Sequence, residues 1–123
     1  MKQVVLDTNF ILTCIRNKID FFEEIKFKGM QILIPKQVIT EIKRINNSKK
    51  KLRFREDAKL SLEILEKNKF ESICLGKGHV DKLLLKFAEI NSQVIVATLD
   101  RELKKKVKNR KMIIQEKKRL KIL

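Results

Sequence analysis

The sequence holds no tryptophan, no tyrosine and a single histidine among its 123 residues. Its seven phenylalanines are the only aromatic rings, so the core has to be largely aliphatic. Three glycines and one proline argue against disorder and for dense secondary structure, and a 43% hydrophobic content can bury a core. No apolar run approaches the roughly 18 residues of a membrane-spanning helix. The start, MKQVVLD, meets charge too early for a secretory signal. Two isolated cysteines, Cys14 and Cys74, form no metal-type spacing and are expected to be packed thiols of a cytoplasmic protein. The length fits one domain over residues 1–123, with no membrane partner.

Acidic residues are scarce relative to basic ones. Thirty Lys and Arg face fifteen Asp and Glu, a formal net charge of +15. Residues 42–59 hold eight basic and two acidic side chains, and residues 101–123 hold eleven and two. The rest of the chain is balanced, so these two blocks carry the whole surplus. Charge runs are usually solvated faces, and a Lys-rich surface also suits growth at high temperature. Here Glu does not keep pace with Lys, which favours a polyanion partner, RNA or DNA.

Strand-like apolar runs alternate with helical patterns. QVVL, QILIP, ESICL, QVIVATLD and MIIQ are the expected strands. Between them, a helix starts near Asn9, another follows through IDFFEEIKF to a C-cap at Gly29, and KQVITEIKRI turns Val38, Ile39, Ile42 and Ile45 to one face. EDAKLSLEILEKN, HVDKLLLKFAEI and RELKKKVKNR are further helices, and NNSKKK is a polar loop or frayed helix end. Strands bounded on both sides by helices imply a three-layer α/β sandwich of the Rossmann-like kind, with a mostly parallel central sheet.

In such folds ligands bind beyond the C-terminal ends of the strands. Asp7 ends the first strand and Asp100 lies just past the fourth. Glu41 stands one turn into the helix after the second strand, and Asp81 near the start of the helix after the third. Each also has a plainer use: Asp7 and Asp100 as helix N-caps, Asp81 on a helix dipole, Glu41 as a solvated charge. Four acids on one rim would repel one another unless a cation neutralised them. Mg²⁺ or Mn²⁺, which take oxygen ligands, would suit them and could activate water for attack on a phosphodiester. The turn LDTNF contains no glycine, which excludes a dinucleotide fingerprint and a P-loop. A haloacid-dehalogenase-type phosphatase would want a second aspartate where Asn9 stands.

VVLDTNFIL, VITEIKRI, GHVDKLLLKFA and VIVATLDRELKKKVK together resemble the PIN-domain nucleases, in that family's order and over nearly the whole chain. The C-terminal part is similar to the branch that includes the small-subunit processome nuclease and its archaeal relatives. The VapC toxins of toxin–antitoxin pairs share the domain. The resemblance implies a PIN fold and a metal-dependent endoribonuclease acting in ribosomal RNA processing, or alternatively a toxin that cuts transfer or ribosomal RNA. It implies Asp7, Glu41, Asp81 and Asp100 as catalytic metal ligands, with Asn9 and Thr98 orienting ligands or water. Where such families often carry a further aspartate, Lys82 stands, so one Mg²⁺ or Mn²⁺ is expected and a second only with RNA. An inactive RNA-binding scaffold is the rival that Lys82 keeps open.

Arg44, Lys49, Lys50, Lys51, Arg53 and Arg55 from the first basic block, and Lys104, Lys105, Lys106 and Lys108 from the second, are expected to contact RNA phosphates. Phe54 stacks on a base or packs. His79, two residues before Asp81, is a poor general base because a metal makes one unnecessary. A homodimer, an antitoxin and ribosome-assembly proteins are the protein partners that the resemblance implies.

Overall fold

Val4, Val5 and Leu6 follow one another without a polar residue because both faces of their strand are covered. The computed structural model describes residues 2–123. The chain runs β1 (Lys2–Leu6), α1 (Thr8–Arg16), α2 (Phe21–Phe27), β2 (Met30–Pro35), α3 (Lys36–Asn46), α4 (Leu52–Lys67), β3 (Glu71–Ile73), α5 (Val80–Ile90), β4 (Ile95–Ala97), α6 (Arg101–Lys106), β5 (Lys111–Gln115) and β6 (Arg119–Ile122). The strands form one sheet in the order β3-β2-β1-β4-β5-β6. All neighbours are parallel except β6, which runs antiparallel to β5.

The period of two along each strand divides the core into two layers. Val4, Leu6, Ile32, Ile34, Ile95 and Ala97 point into a layer shared with Phe10, Ile25, Val38 and Ile42 from the helices α1 to α3. Ala58 and Leu65 of α4 belong to the same layer. Val5, Leu33 and Val96 point the other way, against Leu84 and Ala88 of α5 and Leu103 of α6. The sheet is thus enclosed on both sides, as the alternating pattern implied. Truncating Phe10, which is fully buried, should cost roughly 3–5 kcal/mol.

Helix ends follow local chemistry. Asp7, Asp20 and Asp100 cap α1, α2 and α6, each accepting backbone N–H bonds. Such caps contribute about 1 kcal/mol each. Gly29, at φ 75°, takes the left-handed position after α2, as expected from its place in the sequence.

Two features depart from the sequence reading. Strand β6 was not expected, because its turn lacks the usual signal. Glu116 and Lys117 both adopt left-handed backbone, φ 53° and 58°, where Asn-Gly is the ordinary choice, and Lys118 N–H bonds Gln115 O to close the turn. Cys14 is a packed thiol, but Cys74 is exposed just past the short β3 rather than buried.

Candidate active site

The chain reverses its direction of growth at β1. From β1 it adds β2 and β3 on one side, then crosses to place β4 on the other side. The strands whose C-terminal ends or following helices carry the four acids are therefore neighbours: β3, β2, β1 and β4. In open parallel sheets this switch point is where ligands bind.

Asp7 sits at its centre. Its backbone N–H bonds Ala97 O of β4 at 3.0 Å, so the main chain fixes it beside the end of that strand. Its carboxylate is buried, with Oδ1 accepting from Thr8 N at 2.8 Å and Oδ2 accepting from the Thr98 hydroxyl at 2.9 Å. Burial raises its pKa above the usual carboxylate value. The two hydrogen bonds oppose that shift, while the charges of Asp81 and Glu41 add to it. The structure therefore brings Asp81 and Glu41 within electrostatic reach of Asp7.

Glu41 is held from a neighbouring helix: the Thr8 hydroxyl donates to Glu41 Oε2 at 3.0 Å, tying α1 to α3. Asp100 is joined through Thr98, whose hydroxyl oxygen also accepts from Asp100 N at 3.2 Å. Asp100 Oδ1 caps α6 through Glu102 N and Leu103 N. Asp81 occupies the first turn of α5, preceded by His79 at a cap position with no side-chain bond. The loop leading there contains Gly76 and Gly78 at φ 104° and 133°, backbone that side chains rarely adopt. Gln37 Nε2 donates to Gly76 O at 2.7 Å, anchoring this loop to α3.

The oxygen-only donor set suits a hard divalent cation. Among the described residues no three acidic, cysteine or histidine side chains close on one point, so the acids border an open edge rather than a finished cage. Equally telling is what they do not pair with. The only ion pair among the described residues is Arg16–Asp57. In a chain with thirty basic side chains, Asp7, Glu41, Asp81 and Asp100 are left without one, and Lys82 does not neutralise them. A buried carboxylate with two acids near enough to raise its pKa is relieved by a proton or by a cation, and no Lys or Arg among the described residues pairs with it.

Thr98 is buried against Asp7, where its position two residues before Asp100 had suggested. Asn9 is exposed and lines a cleft beside the acids instead. Lys50 and Lys51 line the same cleft. Arg55 Nε donates to Lys50 O, and Arg53 lies over the Phe54 ring, so both brace this region from α4. Arg44 is one turn beyond Glu41 on α3, and Lys49 lies in the loop before α4. Lys104, Lys105 and Lys106 form the last turn of α6, with Lys108 just beyond it. That turn is roughly 6–9 Å along the helix axis from Asp100. Sequence reasoning missed Thr8 and Gln37. Thr8 was signalled only by its place inside the Asp-Thr-Asn run, and Gln37 by nothing local.

The sequence and the fold are both similar to those of known proteins. Ribonuclease VapC4 of Methanocaldococcus jannaschii is 29% identical over 124 residues, covering 96% of this chain and 94% of that protein. The solved PIN domain endonuclease Utp24 superposes with a TM-score of 0.78 at 22% identity, over 98% of this chain and 90% of that one. VapBC2 from Rickettsia felis, solved bound to a DNA fragment from its promoter, matches with a TM-score of 0.61 at 19% identity, over 89% of this chain and 98% of that one. A family model described as a PIN like domain matches residues 4–119, nearly the whole length, and the chain belongs to that family.

Proposed function

We propose that this protein is an endoribonuclease that hydrolyses RNA phosphodiester bonds with Mg²⁺ or Mn²⁺ held by Asp7, Glu41, Asp81 and Asp100. The observation that carries the reading is the unpaired acidic edge: a buried Asp7, raised by burial and facing Glu41 and Asp81, in a strongly basic chain. Bound there, the ion would supply an activated water and neutralise charge developing on the phosphate. The protein's own groups set the geometry. Thr98 and Thr8 N–H fix the Asp7 carboxylate from two sides, and the Thr8 hydroxyl holds Glu41. Lys50 and Lys51 border the approach and would draw the RNA backbone toward the edge. One ion would be held without RNA, and RNA could bring a second.

Ribosomal RNA processing in the cytoplasm, alongside ribosome-assembly proteins, is the role proposed first. The resemblance of the C-terminal part, VATLDRELKKKVKNRKMIIQEKKRL, to the processome branch supports it. A toxin role, with transfer or ribosomal RNA as target and an antitoxin as partner, is the second reading, supported by the near full-length sequence relationship to VapC4. The inactive scaffold is disfavoured because Lys82 pairs with none of the acids.

The test is cleavage of labelled ribosomal, transfer and unstructured single-stranded RNA in Mn²⁺ or Mg²⁺, with an EDTA control and Asp7→Asn. Metal-dependent cutting lost in Asp7→Asn supports the reading, and preference for transfer over ribosomal RNA favours the toxin role. RNA binding that EDTA leaves untouched, without cutting, makes the protein a scaffold.

A further inference from the structure

Beside the acidic edge lies a cleft of about 610 Å³ between α1 and α4. Asn9 and Leu99 line it, and these two residues flank the acidic edge in sequence, two positions after Asp7 and one before Asp100. Leu12, Arg16, Phe54 and Asp57 line it further out. The volume falls within the roughly 300–1,000 Å³ of pockets that enclose small organic ligands. Its walls combine flat apolar surface with a few polar groups, the arrangement that recognises a planar ring with a polar rim.

An ion pair holds the outer wall together. Arg16 Nε and Nη2 both donate to Asp57 Oδ2, at 3.1 and 2.9 Å, which fixes the guanidinium plane. Arg16 Cζ lies over the Phe54 ring, 4.9 Å from its centre, and Arg53 Cζ lies over the same ring at 5.7 Å. Phe54 is 40% exposed, so part of its ring is open to the cleft. Because Asp57 already balances Arg16, what this wall offers is the planar surface of the Arg16 guanidinium with the exposed part of the Phe54 ring. The net positive charge comes from Lys50 and Lys51, also on the cleft, which suit the phosphates on either side of a seated base.

We infer that the Phe54–Arg16 cleft seats one unpaired nucleobase of the RNA whose neighbouring phosphate lies at the acidic edge. This rests on the nuclease reading and narrows it to single-stranded or looped RNA, since a base stacked within a duplex cannot enter. Stacking against an aromatic ring tolerates any base and contributes substantially to affinity, while Asn9 and Thr13 can bond to the base edge.

The experiment measures fluorescence anisotropy of a short labelled oligoribonucleotide and of its abasic counterpart, in Ca²⁺. Phe54→Ala should weaken binding of the intact chain about tenfold, leave the abasic chain unchanged, and be rescued by Phe54→Tyr. Asp57→Asn, which keeps the ring, should also weaken the intact chain selectively because it unpins Arg16. Equal losses on both chains, no loss on either, or no binding by the wild type overturns the base seat. Cutting of the same oligonucleotide in Mn²⁺ is scored separately. Cutting without base-dependent binding overturns the seat and leaves the nuclease, whereas base-dependent binding without cutting overturns the nuclease and leaves the seat.

Discussion

Thr98 donates its hydroxyl hydrogen to Asp7 Oδ2 at 2.9 Å, joining the ends of β1 and β4 across 91 positions of sequence. The same oxygen accepts the Asp100 N–H, so one buried hydroxyl orients two of the acids. Thr98→Val keeps the shape and removes both bonds. It should destabilise the protein by about 1–3 kcal/mol in urea titration and lower Mn²⁺ affinity or cleavage by roughly 10–100-fold. Unchanged cleavage would show that Asp7 needs no such support.

Asp7 carries a stability cost that a cation should remove. Its pKa is raised in the fold, chiefly by burial, so between its ordinary value and the raised one the folded protein binds a proton that the unfolded chain has released. Stability from this group is fully present below the ordinary value of 3.8 and is lost as pH rises through the raised value. Asn caps helices as well as Asp, so Asp7→Asn should melt higher than wild type at neutral pH without metal. That advantage should shrink as pH falls toward 3.8. Mn²⁺ should stabilise the wild type and not the variant. A variant that melts lower throughout would contradict this account of the site.

Thiol chemistry separates the two cysteines. Burial pushes the Cys14 thiol up to about 12, with the Glu24 charge adding to the shift, whereas Cys74 is exposed. A disulfide-exchange reagent at neutral pH should label one thiol quickly in the native protein and both in urea. Two fast thiols in the native state would place Cys14 outside the core.

RNA binding should report the lysines of the cleft through salt. For single strands each phosphate contact contributes roughly 0.7 to the slope of log affinity against log salt. Replacing Lys50 and Lys51 by Ala should flatten that slope by about 1.4 in sum. An unchanged slope would move the phosphate contacts elsewhere, to Arg44 and Lys49 or to Lys104, Lys105, Lys106 and Lys108.

Much of this was legible in the sequence because burial on both faces leaves a local signature. Unbroken apolar runs such as Val4–Leu6 marked the parallel strands, and Val38 with Ile42 marked the buried side of the helix carrying Glu41. The positions of Asp7 at the end of β1 and Asp100 just past β4 could be read because strand ends are visible in a sequence. What periodicity does not encode is which helices meet. The Thr8–Glu41 bond and the Arg16–Asp57 pair link separate elements, 33 and 41 positions apart, and nothing local announces them. Strand β6 escaped for a different reason: Glu116 and Lys117 make a left-handed turn without the glycine that usually permits it.

The central claim is that the acidic edge at the end of β1 is a cation site. Anomalous diffraction from crystals grown with Mn²⁺ tests it most directly. The account predicts a manganese peak bonded to the Asp7 carboxylate, with ligands drawn from Glu41, Asp81 and Asp100, and its disappearance in Asp7→Asn. A well-ordered Asp7 bonded only to Thr8 and Thr98, with no peak at the edge in saturating Mn²⁺, would contradict it.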